Sequence, residues 1–259
     1  MENTNQPSPE TAPPLPAPRN GGSGILIRLL AYGAAILIAV ALLLPNVRSA
    51  REPARRNSCM NNLKQISLAL SNYESANGAY PPAYTVDADG RPLHSWRTLI
   101  LPYMEHKALY DQIDLAKPWD DPANEQAYNA MPDAYRCPSD PTDNAKKNLT
   151  TYLAVVTPDS VIRTAGSLPH AAIPSPADAL LVVDVPHSQA THWMSPVDAD
   201  EQLLLIADPK IRRQHNGDLC VAAYADGHVY PFSGMIDPKA LRAMITASAD
   251  DNDALQEAD

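Results

Sequence analysis

The sequence predicts an α+β fold in which one long N-terminal helix lies against a mostly antiparallel β-sheet with large loops. Three features carry that expectation. An apolar run beginning at Ile25 passes through Pro45 into a helical stripe that ends at Asn77. Five later segments are rich in β-branched and aliphatic residues and are bounded by Pro, Asp or Gly, which is the pattern of strands. The last two of them are separated by Asp226-Gly227, a strong short-range hairpin signal.

Composition limits the function classes. The chain has 259 residues and a net charge of −10, with a pI near 5.1. Nucleic-acid phosphates would need a basic face, so nucleic acid is not an expected partner. The 26 prolines against a single Phe indicate many turns, with Tyr, Leu, Val and Ala carrying the packing. Cys59, Cys137 and Cys220 are too few for a disulfide scaffold but allow one bridge and one leftover thiol.

Taken in order, residues 1–24 are Pro- and Gly-rich with almost nothing apolar to bury, and are expected to be disordered. From Ile25 to Leu44 only Arg28 is charged; as a helix such a run spans about 30 Å, the thickness of a bilayer core. It reads as a transmembrane anchor over residues 25–47, with Arg28 able to snorkel; a buried core helix and a cleavable signal peptide are the alternatives. Pro45 kinks or interrupts the helix. Cys59, Leu63, Ile66, Leu70 and Tyr73 then recur at spacings of four and three, one apolar stripe of a helix, which Asn77-Gly78 closes.

Asp87-Ala88-Asp89-Gly90 has the look of a calcium loop, but two carboxylates fall short of the six or so oxygens that ion takes, and a plain turn is the better reading. Trp96 to Tyr110 reads as a helix broken or begun near Leu101 at Pro102, with Leu99, Ile100, Tyr103, Leu109 and Tyr110 facing the spine helix. The strands are read at Thr151–Thr157, Ala179–Val185, Leu203–Ala207, Leu219–Ala225 and His228–Phe232, followed by a short helix from Pro238 to Thr246. Residues 248–259 are acidic and apolar-poor and read as a frayed tail, leaving residues 48–247 as one α+β domain.

Several stretches together resemble a bacterial family known as domain of unknown function 1559. They are LLLPNVRSAREPARRNSCMNNLKQISLALSNYESANGAYPPAY (Leu42–Tyr84), SWRTLILPYMEHKALYDQ (Ser95–Gln112), KPWDDPAN (Lys117–Asn124), YRCPSD (Tyr135–Asp140), HWMSPVD (His192–Asp198) and HNGDLCVAAYADGHVYPF (His215–Phe232). The resemblance implies a pilin-like plan with a prepilin-like N-terminal helix. It also implies a disulfide between Cys59 and Cys137, where two separate buried thiols are the alternative, and it marks His215, Asp226, Gly227, Trp193 and Asp198 as signature positions of unknown role. Two departures stand out. Family leaders commonly carry a Gly followed by Phe, Thr, Leu, Val and Glu, where a prepilin peptidase cuts after the Gly and the Glu helps register filament subunits. Here the cleavage position falls between Ser23 and Gly24 and the Glu position holds Arg28, a departure that implies an uncleaved anchor. Ten residues separate His215 from Asp226, where the family pattern has nine.

No reaction is legible. Asp184, His187, His192, Asp198, His215, Asp226 and His228 are possible metal ligands by type, but no pair shares a segment read as helix and no tight motif forms, so no metal or other cofactor is expected. There is no nucleophile elbow, no phosphate-cradling glycine loop and no Cys-x-x-Cys. The expectation is therefore not an enzyme but a membrane-anchored, pseudopilin-like structural or interaction protein of the cell envelope, partnered with the membrane and with other envelope or secretion-system proteins. The second reading is an extracytoplasmic ligand-binding module, because some family members carry a solute-binding label; an open cleft lined by Trp96, Trp119 or Trp193 would be its mark. On orientation the signals diverge. Arg48, Arg51, Arg55 and Arg56 follow the apolar run, and the positive-inside rule would hold the following domain in the cytoplasm. The family resemblance implies a cytoplasmic N-terminus in the inner membrane and an extracytoplasmic domain.

Overall fold

A computed structural model describes residues 21–139, 147–205, 219–233 and 236–246. The expected disordered segments at residues 1–20 and 248–259 lie outside these. The chain divides into two compact units, Met1–Ser49 and Ala50–Asp259.

The first unit is helical from Gly21, the start of helix α1 (Gly21–Asn77), so Gly21 to Gly24, expected in the tail, are helical. Side chains are described there for residues 24–39. From Ile25 to Ile38 every large apolar side chain is 61–71% exposed, around the whole helix circumference. Among the described residues no helix is long and apolar enough to cross a membrane, and the span read from Ile25 to Leu44 stands as a proposal. The helical assignment continues through Pro45, where an interruption was one of the two expected outcomes. A proline removes one intrahelical hydrogen bond, and the turns on either side can hold the assignment.

In the second unit the downstream part of α1 carries the expected stripe. Cys59, Leu63, Ile66 and Leu70 are fully buried, whereas Asn61, Lys64 and Gln65 are exposed. The helix ends where Gly78 takes a left-handed φ of 80° and donates its N–H to Glu74 O, a conformation glycine adopts without a Cβ clash. A hairpin follows, β1 (Tyr84–Val86) paired antiparallel with β2 (Pro92–Ser95). Its turn is the Asp87–Gly90 segment, where the Asp87 carboxylate accepts from the N–H groups of Asp89 and Arg91. The turn reading of that segment holds.

Short helical pieces then pave one side of α1. Helix α2 (Trp96–Leu99) is capped by the Ser95 hydroxyl. A 3-10 turn at Leu101–Met104 carries Pro102 in its first turn, and α3 (Lys107–Tyr110) and α4 (Glu125–Tyr128) follow. The helix read across Trp96–Tyr110 is thus broken at Leu101, as expected from Pro102. Ile100 is buried, and Tyr103 meets Tyr73 edge to face with centroids 5.6 Å apart.

The main sheet has the order β4-β5-β7-β8 and is antiparallel throughout. Its strands are β4 (Tyr152–Ala154), β5 (Leu180–Asp184), β7 (Leu219–Tyr224) and β8 (Val229–Ser233). A small ladder, β3 (Leu149–Thr150) on β6 (Thr191–His192), lies in a separate sheet. Alternation sorts the strands onto two cores. Tyr152, Ala154, Val182, Val221 and Ala223 join the α1 stripe, while Leu153, Val183, Ala222 and Tyr224 pack with Leu241, Met244 and Ile245. The register shifts between Leu180 and Val182, and Leu181 and Val182 both fall on the α1 side, the signature of a bulge. On the outer strand β8, Pro231 sits opposite Val221.

The second core is closed by α5 (Glu201–Leu205) and α6 (Pro238–Ile245). The latter matches its expectation, with Asp237 accepting from Lys239 N as cap. The former is a correction, because Leu203–Ala207 was read as a strand. Leu203 to Leu205 are helical, and Leu203 N donates to the Asp200 carboxylate at 2.7 Å, an acceptor that starts a helix. Residues 206 and 207 lie outside the described ones.

Cys59 on α1 and Cys137 in a later loop form a disulfide with Cα atoms 5.1 Å apart and a sequence separation of 78. Closing so long a loop restricts the unfolded chain. Reducing the bridge, or replacing both cysteines with serine, is expected to lower unfolding stability by about 2–4 kcal/mol. Denaturant titration with and without reductant checks this, and coincident curves would remove the bridge from the account of stability.

Candidate functional site

The most constrained polar group in the second unit is a guanidinium with no access to water. Arg97 is fully buried, placed on α2 one residue after Trp96 and two after the capping Ser95. All five of its N–H donors have acceptors. Nε donates to Tyr152 O, Nη1 to Ser95 Oγ and Ser195 O, and Nη2 to Val197 O and to Asp198 Oδ1 at 2.6 Å. Its Cζ also lies 4.8 Å from the centroid of the Trp96 ring, and its backbone carbonyl accepts from Tyr135 Oη at 2.8 Å. Burial pushes the Tyr135 phenol well above its ordinary value.

Asp198 is the counter-charge, its side chain 3% exposed. Beyond the Arg97 contact, Oδ1 accepts from the Trp96 indole Nε1 at 3.0 Å and from Ala154 N at 2.9 Å. Oδ2 is buried and has no hydrogen-bond partner. Burial raises the Asp198 carboxyl above its ordinary value, against the lowering pull of Arg97, Trp96 and Ala154. The Ser95-Trp96-Arg97 and Ser195–Asp198 stretches, a hundred residues apart, therefore meet at one point on β4. Asp198 also lines a cavity of about 130 Å³ with Ala83, Tyr84, Val156, Pro196 and Asp200.

Beside this pair is an aromatic stack. Tyr128 stacks on His192 at 3.8 Å and on Trp119 at 5.8 Å. Trp193, fully buried, stacks on Tyr135 and donates Nε1–H to Tyr128 O. His192 is 7% exposed, and its Nδ1 accepts from Met194 N, which makes the ring the neutral Nε2–H tautomer. Burial pushes its pKa down to about 4. Trp96 and Trp193 are core residues, so neither lines an open cleft, and Trp119 is half-buried against Tyr128 and His192. The open depression nearby, about 490 Å³, is lined by Asp120, Asp121, Pro122, Glu125, Tyr128 and Asn129.

The remaining signature positions do not join this cluster. Asp226 and Gly227 form the β7–β8 turn. Gly227 has φ of 92°, the Asp226 carboxylate accepts from His228 N and pairs with the His228 ring, and that ring stacks on Tyr224 at 4.2 Å. Tyr80 Oη fastens the same turn through Ala225 O. His215 lies outside the described residues. Of the residues weighed as metal ligands, Asp184, His187, His192, Asp198, Asp226 and His228 do not converge. Among the described residues the group close enough to share an ion is Cys59, Cys137 and Asp184, whose two sulfurs are joined to each other. Arg97 was not singled out from the sequence. Its only signal there is a lone cation in the Trp96–Leu101 stretch, which apart from Thr98 is otherwise apolar.

A family model, SBP_bac_10, described as a protein of unknown function (DUF1559), matches residues 48–184. That segment begins after the apolar run and contains Cys59, Arg97 and Cys137, while Trp193, Asp198 and the Asp226-Gly227 turn lie beyond it. No curated protein and no solved structure matches the chain.

Two outcomes follow from the geometry. Asp198→Ala leaves the Arg97 guanidinium buried without its anion and is expected to cost about 3–5 kcal/mol, whereas replacing both residues together by apolar ones of similar volume costs much less. A double-mutant cycle by chemical denaturation measures it, and additive losses would refute the coupling. For His192 the unfolded chain takes up a proton near pH 6.5 that the folded protein refuses until about pH 4. The stabilisation is therefore complete above pH 6.5 and is lost as pH falls through that window, at a slope of up to about 1.4 kcal/mol per pH unit. His192→Phe should flatten that part of the stability–pH profile; parallel profiles for the two proteins would contradict it. His94, also buried and lowered, is present in both proteins and cancels in the comparison.

Proposed function

The chain belongs to the DUF1559 family, and from that premise we propose that it is a membrane-anchored, pilin-like domain that serves as a structural or interaction protein of the cell envelope, without catalytic activity. The observation that carries the reading is the contrast between the two parts of α1. From Ile25 to Ile38 the helix exposes apolar side chains on every side, a surface that suits lipid and not water, while from Cys59 onward it buries one stripe against the sheet. Such a helix is an anchor at one end and a spine at the other.

The disulfide supports an oxidising compartment, and so an inner-membrane protein with a cytoplasmic N-terminus and the α+β domain outside. Envelope or secretion-system proteins are the partners this placement makes available. The absence of a Glu at Arg28 supports a retained anchor over ordinary filament assembly.

A second reading, a small-molecule-binding module, draws on one observation, the cavity beside Asp198.

A periplasm-dependent reporter such as alkaline phosphatase, fused after Asp259, is expected to be active in intact cells and to fractionate with the membrane. An inactive fusion, with Cys59 and Cys137 recovered as free thiols, would place the domain on the cytoplasmic side and overturn the orientation. Recovery of the fusion in the soluble fraction would overturn the anchor.

A further inference from the structure

Residues 114–129 form a strap whose two ends rest on buried histidines. The strap is closed on itself. Asp114 N donates to Asn124 Oδ1, and Asn124 Nδ2 donates back to Asp114 O and Pro118 O. Trp119 N donates outward to Leu93 O, and Tyr128 O accepts from Trp193 Nε1. Within the strap only Asn124 and Ala127 are buried, with Trp119, Asp121 and Tyr128 half-buried. A segment with so little apolar burial and its own internal clamp can leave the sheet as a unit, at far less cost than unfolding the domain.

His94 lies next to Leu93 on β2. It is fully buried, and neither ring nitrogen makes a hydrogen bond. Burial lowers its pKa against the raising pull of the Lys117 and Asp114 carbonyls and the Asp114 carboxylate. β1 faces it with Thr85, whose Oγ1 accepts from His94 N. His192 lies under the other end, with its ring against Tyr128 at 3.8 Å and Trp119 at 5.1 Å, and its Nε2 has no partner. The groups that face it are Tyr128 on the strap, Arg97 from α2, whose charge is tied to Asp198, and Leu149 opposite it on β3.

A proton on either ring would place a cation where water does not reach. Arg97 repels it at His192, and at His94 the one carboxylate that faces it belongs to the strap itself. Opening gives both rings water. An open ring titrates near 6.5 and a closed one lower, so the closed form is favoured in full above about pH 6.5 and that preference is lost as pH falls.

We propose that the strap is an acid-opened device: protonation of His94 and His192 releases residues 114–129 and uncovers the stack of Trp119, Tyr128 and His192, while α1 and the main sheet stay folded.

The test is hydrogen exchange on the full chain in detergent at about pH 7.5 and about pH 4.5, as protection factors corrected for the intrinsic rate at each pH. With a closed-state pKa of about 4, His192 alone raises the opening equilibrium roughly 70-fold between those two conditions. Protection at Trp119, Asn124 and Asn129 should therefore fall by at least about 30-fold, while β5 and β7 change less than about three-fold. His192→Phe, which keeps a ring in the stack, should cut the acid response at least about ten-fold, and adding His94→Leu should remove the rest. His192→Gln, polar but without a titrating proton, carries the test if the Phe variant fails to fold. Strap protection that is the same at both pH values overturns the proposal, and so does an equal loss in β5 and β7, which is global acid unfolding. An undiminished response in the double variant places the proton elsewhere and overturns it as well.

Discussion

A guanidinium sealed from water sets the terms for the second unit of this chain. Burying Arg97 is tolerable only if every N–H finds an acceptor and the charge finds a counter-charge, and the acceptors come from three separate stretches: β2 at Ser95, β4 at Tyr152, and the Ser195–Asp198 segment. None of these can drift without stranding a donor. The same requirement fixes Asp198, whose Oδ1 also collects the Trp96 indole and the Ala154 amide, and so ties α2 to the edge of the main sheet. A hydrophobic pair of equal volume could fill the space, but it would not specify which carbonyls must face inward.

Around that point the two cores divide the labour. The α1 stripe and the short helices after Trp96 cover one face of the sheet, and α5 with α6 covers the other. β7 is buried on both faces, so Val221 and Ala223 serve one core while Ala222 and Tyr224 serve the second. The disulfide ties Cys59 of the stripe to the loop that carries Tyr135 and Arg136. Asn62 reinforces the tie by donating to Arg136 O at 2.7 Å. Covalent and polar fastening thus meet on the helix just where its buried stripe begins.

Much of this was legible in the sequence, and the reasons are physical. The α1 stripe announces itself through period, the strands through β-branched content, and the β7–β8 turn through Asp226-Gly227, since each depends on local chemistry. What could not be read depends on partners far along the chain. Leu203–Leu205 is apolar in a way that suits a strand or a helix, and the decision rests with the capping carboxylate of Asp200. Pro92 and His94 disguise β2, whose pairing depends on the turn made by Asp87. Arg97 could equally have been a surface cation, because nothing local reveals that its anion waits 101 residues away. The tryptophans offered as marks of a cleft are large enough to be the best core fillers available in a chain with one Phe, and two of the three are used that way. The Cys59–Cys137 pairing came through family resemblance and not through spacing.

The outer strand β8 carries Pro231 in mid-strand, opposite Val221. A strand added beyond β8 would need a regular row of backbone N–H donors, and proline has none to offer. Tyr230, 64% exposed beside it, would otherwise make this rim an adhesive template for another copy's strand. Such a break in the donor row is a safeguard against runaway cross-β growth from this rim. Association through other surfaces remains open to the protein.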